Sequence, residues 1–96
     1  MAENEKLVAA ALEGNYQRVT ELAAALAPGA EPQLEQFRIQ MEEYEAAVQQ
    51  SDWRRALRAL ADARLAAIGA GIPDLEAIAT QRLYSVVKQY EGRRES

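Results

Sequence analysis

Large apolar side chains return along part of this chain every three or four residues: Leu34, Phe37, Met41, Tyr44 and Val48 step by 3, 4, 3 and 4. At about 3.6 residues per turn, that spacing lays all five along one side of an α-helix, ready to be buried against another. Nowhere do apolar and polar residues alternate over the length of a strand, and the β-branched residues are scattered. Alanine, Leu, Glu, Gln and Arg dominate, and all of them favour helix. The pattern predicts an all-α fold, an antiparallel four- or five-helix bundle built from helical hairpins. Its 96 residues suffice for a single helical domain, 1–96.

Turn chemistry places the boundaries. Pro32 suits the opening of a helix, where its missing N–H would have no partner anyway, and Glu31 and Glu35 suit the positive end of the helix dipole. Trp53, Leu57, Leu60, Arg64 and Ile68 continue the helical spacing on an offset stripe, so the chain is expected to reverse at Ser51-Asp52, both good caps. Met41 and Tyr44 would then face Leu57 or Leu60. Gly69-Ala70-Gly71 should close this helix, since glycine enters the left-handed conformation without strain. Pro73-Asp74 opens the last helix, with Leu75, Ile78, Ala79, Leu83, Val86, Val87 and Tyr90 as its buried positions. That helix should fray near Gly92 and leave 92–96 as a solvated tail.

The first third allows two readings. Val8, Leu12, Tyr16, Val19, Ala23 and Leu26 keep helical spacing straight through Gly14-Asn15, as one helix over 4–27 would. Gly14-Asn15 is equally a helix stop followed by a helix start. A shift of 37 residues lays Ala9, Ala10, Gly14, Asn15, Tyr16 and Arg18 onto Ala46, Ala47, Ser51, Asp52, Trp53 and Arg55, which suggests a repeated helical hairpin. Ser51-Asp52-Trp53, with Ala56, Leu57, Leu60 and Ala63, resembles the turn and second helix of a tetratricopeptide repeat. Gly14-Asn15-Tyr16 with Val19 is similar at the turn. The family's first-helix tryptophan, leucine and glycine have no counterpart here, and its repeat is about 34 residues long. Over about half the chain, the resemblance implies antiparallel helix pairs packed side by side and a role in binding other proteins, with no chemistry attached.

Histidine and cysteine are both absent. Their absence removes the imidazole base, the thiolate nucleophile, the disulfide framework and any soft-ligand metal site. Glu31, Glu35, Glu42, Glu43 and Glu45 form the densest carboxylate group. Carboxylate-bridged two-metal bundles also draw on histidine, so an exposed face paired with arginines is the reading taken. Tyr84 and Lys88 spell a Tyr-x-x-x-Lys pair, and Gly69-Ala70-Gly71 gives half of a dinucleotide fingerprint. Both need a parallel sheet that a helical chain does not supply. The chain is therefore expected not to be an enzyme, with no catalytic residue, cofactor or metal. No stretch reaches the ~20 apolar residues of a membrane span. The N-terminus, with Glu3, Glu5 and Lys6, lacks the basic start and apolar run of a secretory signal, so the expected location is cytoplasmic.

Net charge is −4 and the isoelectric point about 4.8, but residues 1–50 hold nine acids and three bases while 51–96 hold six acids and eight bases. The two halves should attract each other within the fold. Arg54 and Arg58, one turn apart, are expected to face the glutamates of the preceding helix, and Arg58 also to meet Asp62. Twenty alanines leave about two dozen larger apolar residues to build the core, which should be thin, with closely spaced helices.

These features predict a small adaptor or regulatory module that binds another protein or itself. Trp53 is either a wedge between two long helices or a protruding anchor. Apolar surface left over from so small a core favours a homodimer with Ile39, Tyr84, Val87 or Tyr90 near its interface. Ile72, like Ile39, falls off the main stripes. The alternative is a nucleic-acid-associated regulator using Arg54, Arg55 and Arg58, a use that the acidic balance of the chain opposes.

Overall fold

The computed structural model describes the backbone of residues 2–95 and the side chains of residues 5–92. Five helices follow one another: α1 (Ala2–Leu12), α2 (Tyr16–Leu26), α3 (Glu31–Gln49), α4 (Trp53–Ala70) and α5 (Pro73–Glu95), with no strand among the described residues. Connections of a few residues force each helix to double back on the one before, which gives antiparallel neighbours. Successive helices pack on one another, most extensively α3 on α4 and α4 on α5, and α1 also meets α5. The bundle measures 45 × 24 × 19 Å.

One turn design is used three times. Gly14, Ser51 and Gly71 each end a helix with a positive φ, of 80°, 56° and 73°. The residue after each, Asn15, Asp52 or Ile72, donates its backbone N–H to a carbonyl five residues back, on Ala10, Ala47 or Ala67, at 3.0, 2.9 and 3.3 Å. This closure satisfies carbonyls that the end of the helix leaves open. Asn15 and Asp52 then cap the following helix, their Oδ1 atoms accepting from the backbone N–H of Arg18 (3.2 Å) and Arg55 (3.3 Å). The 37-residue correspondence is therefore a repeat of turn geometry, and the first third is two helices, not one.

Ser51 is the one non-glycine residue with positive φ among the described residues. A side chain in that conformation costs about 1–2 kcal/mol, partly offset by the extra freedom that glycine has when unfolded. Ser51→Gly should therefore raise stability by about 0.5–1 kcal/mol, a gain of a few degrees in Tm. A thermal melt with an unchanged or lower midpoint would contradict this account of the turn.

Burial follows the sequence closely in α3, where Leu34, Phe37, Met41 and Tyr44 are buried and Val48 is half-buried. In α4 it does not. The buried face is Ala56, Ala59, Leu60, Ala63 and Ala67, while Trp53 and Leu57 are half-buried and Arg64 and Ile68 are exposed. At 100° per residue, the buried face lies roughly 80° around the helix from the expected stripe. Alanine lets two helix backbones approach, and α4 presents its alanines to the neighbours on both sides. Among the described residues, ten of the 22 buried apolar side chains are alanines, so the core is as thin as the composition implied.

Two further expectations are corrected in α5. Leu83, Val87 and Tyr90 are half-buried rather than buried, and the helix passes through Gly92 to Glu95 instead of fraying there. Of the proposed 92–96 tail, Gly92 is exposed, and residues 93–96 lie outside the described side chains. Ile72, placed off the stripes by the sequence, is 7% exposed and belongs to the core.

Candidate interaction surface

With Ala56, Ala59, Ala63 and Ala67 turned inward, α4 presents the opposite side to solvent. Arg54, Arg58, Ala61, Leu65 and Ile68 are all exposed and step by 4, 3, 4 and 3, so they form one ridge along the helix. A groove runs down each flank. Between α3 and α4 it is lined by Pro32, Gln33, Gln36 and Gln40 opposite Asp62, Leu65 and Ala66, and continues along Ile39, Glu43, Arg55, Arg58 and Ala59. Between α4 and α5 lies a groove of about 450 Å³ with Ala61, Arg64 and Leu65 on one side and Thr80, Leu83 and Tyr84 on the other. Leu65 lines grooves on both flanks. It is 63% exposed, and Tyr84 is 64% exposed.

The structure thus gathers Ile39, Arg55 and Arg58 in one groove and sets Tyr84 in the other, with the α4 ridge between them. Arg54 lies one turn before Arg58 on that ridge. Trp53 sits half-buried against the core at the start of α4, between the two roles expected for it, and Val87 and Tyr90 are half-buried further along α5. Leu65 and the row Gln33-Gln36-Gln40 were not among the residues read from the sequence. The amides do repeat at helical spacing beside the apolar stripe of α3, which was a usable signal. Leu65 had none, because its exposure depends on which side of α4 turns inward.

Charge is organised differently from the expectation. Arg55, not Arg54 or Arg58, reaches the preceding helix, pairing with Glu43 and donating from Nη1 to Gln50 Oε1 at 2.9 Å. The hydrogen bond from Arg55 holds the Glu43 carboxyl below its usual range. Arg38 bridges Glu35 and Glu42 on the outer side of α3, and its hydrogen bond likewise lowers Glu35. Arg64 donates from Nε to Thr80 Oγ1 at 3.1 Å and lies 3.6 Å from Glu76, tying α4 to α5. Among the described residues, no ion pair involves Arg54, Arg58 or Asp62. The register that turns Ala56, Ala59, Ala63 and Ala67 inward leaves Arg54 and Arg58 exposed and unpaired with the glutamates of α3, although Arg58 lines the same groove as Glu43. Of the ion pairs between described residues, Arg55–Glu43 alone joins the acidic half to the basic half.

Glu45, the last of the carboxylate group, accepts a hydrogen bond of 2.7 Å from the Tyr16 hydroxyl. Among the described residues, no three acidic side chains are gathered to hold a metal ion. Burial first, then the bond to Glu45, pushes the Tyr16 phenol far above its ordinary value of 10.0, and burial raises Tyr44 as well. A raised phenol means that the fold favours the protonated form. Its stabilisation is complete below the unfolded value and is lost as pH climbs through the folded one. Stability should therefore fall above about pH 10. The phenolate absorbance of Tyr16, read as the difference between the native protein and Tyr16→Phe, should appear only as the helical signal disappears. Ionisation at pH 10 with helix intact would show that the hydroxyl is not held this way.

Among the described residues, no helix is long and apolar enough to cross a membrane. No protein-family model, curated protein or solved structure matches the chain.

Proposed function

We propose that this protein is a small, non-enzymatic interaction module, an adaptor or regulator that works in the cytoplasm by docking another protein on the α4 face. The observation that carries this reading is the groove between α4 and α5, whose walls hold the two most exposed large apolar side chains among the described residues, Leu65 and Tyr84. Apolar side chains grouped around a concavity are the usual mark of a binding surface. The repeated turn at 14–16 and 51–53 supports a likeness to tetratricopeptide-like hairpin proteins, whose role is to bind other proteins.

The partner is either a foreign protein or a second copy of the chain. A photo-crosslinking residue placed at position 65 or 84, in the cells that make the protein, should yield a discrete protein adduct. The same residue at Gln17, exposed on α2, should not. An adduct of twice the mass of the chain identifies a homodimer. Absence of adducts at both 65 and 84 overturns the reading.

The exposed arginines favour one other use, as a nucleic-acid-associated regulator. Arg55, third of the basic cluster, is already engaged by Glu43 and Gln50, which leaves Arg54 and Arg58 for phosphate contacts against a net charge of −4. Salt-dependent retention on duplex DNA that is abolished by Arg54→Glu with Arg58→Glu would establish that use, and lack of retention would dismiss it.

A further inference from the structure

Resting on the docking reading above, we infer that the α4 ridge receives an acidic amphipathic helix of a foreign protein. Its apolar residues seat between Leu65 and Tyr84, and its carboxylates reach Arg58 and Arg54.

The steps of 4, 3, 4 and 3 from Arg54 to Ile68 match the spacing by which one helix lies along another. On α4 this second stripe stands opposite the alanine face and has no helix over it, since all five of its residues are exposed. The span from Arg54 to Ile68 is roughly 21 Å at 1.5 Å per residue, the length of about four helical turns. Arginines that border the neighbouring helices are matched, Arg55 by Glu43 and Arg64 by Glu76. Among the described residues, the two on the ridge have no ion pair. The ridge is therefore divided, with unmatched positive charge at its N-terminal end and exposed apolar surface at its C-terminal end. Asp62 lies to the side, in the groove facing Gln36 and Gln40, and shares its continuation with Glu43, Arg55 and Arg58 without pairing to Arg58.

A second copy of the chain does not satisfy this division. Laid antiparallel about Ala61, it would set Arg54 against Ile68 of the second copy and Arg58 against its Arg64 or Leu65. Laid parallel, it would set arginine against arginine. Both arrangements leave the charges unmatched or opposed, whereas a helix carrying two carboxylates two and three turns from its apolar pair matches the whole ridge.

The test is a displayed library of random 16-residue peptides, selected on the intact protein, with the enriched peptides then synthesised and titrated by fluorescence anisotropy. Enriched sequences should carry an excess of Asp and Glu, with apolar residues one turn apart and two turns from the acids. Their affinity should fall at least tenfold for Arg54→Glu with Arg58→Glu, and comparably for Leu65→Asp. It should be unchanged for Lys6→Glu with Arg18→Glu, which alters net charge equally at exposed positions of α1 and α2. Circular dichroism confirms that each variant is folded, and Arg54→Gln with Arg58→Gln repeats the test without reversing charge. Peptides that are neutral or basic, or that lose affinity with Leu65→Asp but not with the arginine changes, overturn the acidic partner and leave the docking face standing. Peptides indifferent to both sets of variants, or no enrichment, overturn both.

Discussion

Phe37→Ala should cost about 3–5 kcal/mol, a large share of the ~5–15 kcal/mol that holds a typical small domain together. Phe37 is fully buried on α3 and heads the largest fully buried side chains. Truncation removes the transfer energy of the ring and leaves a cavity, and the cost depends on how far the surroundings can collapse into it. Here they have little to offer, because so much of the buried set is alanine, which has no side-chain torsion with which to fill a void. The urea midpoint should drop by roughly 2 M, at a slope of about 1–2 kcal/mol per M. Leu57→Ala, at a half-buried position of α4, should cost clearly less. A loss below about 1.5 kcal/mol for Phe37→Ala would mean that the ring is not the centre of the core.

Enlarging an alanine should be nearly as damaging on one side of α4 and harmless on the other. Ala63 is fully buried and Ala61, two residues earlier, is exposed. Ala63→Leu forces three extra carbons into a close helix contact and should destabilise by about 1–3 kcal/mol. Ala61→Leu adds the same atoms to the outer ridge and should change stability by no more than about 0.5 kcal/mol. The pair separates the observed register of α4 from the one its larger apolar residues suggest. Were Trp53, Leu57 and Ile68 the inward face, Ala61 would flank it and Ala63 would not, and the order of the two effects would reverse.

What could be read in advance differed sharply between α3 and α4. In α3 the large apolar residues are the buried ones, because a helix with a single stripe of bulky side chains has one way to hide them. In α4, Ala56, Ala59, Ala63 and Ala67 carry little hydrophobic weight and look neutral in a sequence. They are buried because two neighbouring helices approach that side closely. The same register pointed Arg54 and Arg58 outward and left Arg55 to meet Glu43. Of the eight residues put forward as interaction candidates, Ile39, Arg55 and Arg58 share one groove and Tyr84 lines the next, whereas Leu65, which lines grooves on both flanks, was invisible.

By itself the sequence determined the helical class and the turns at Ser51-Asp52 and Gly71, since those rest on chemistry within a few residues: apolar spacing, a cap at Asp52 and a glycine at the left-handed position 71. At Gly14-Asn15 it left one helix or two open. Tertiary structure alone decided which side of α4 turned inward, whether Ile72 was covered, and which arginines found partners. Each of those outcomes compares two helix faces of similar hydrophobicity, and the comparison is settled by how closely neighbouring backbones can approach, a quantity that belongs to pairs of helices distant in the chain and to no local stretch of it.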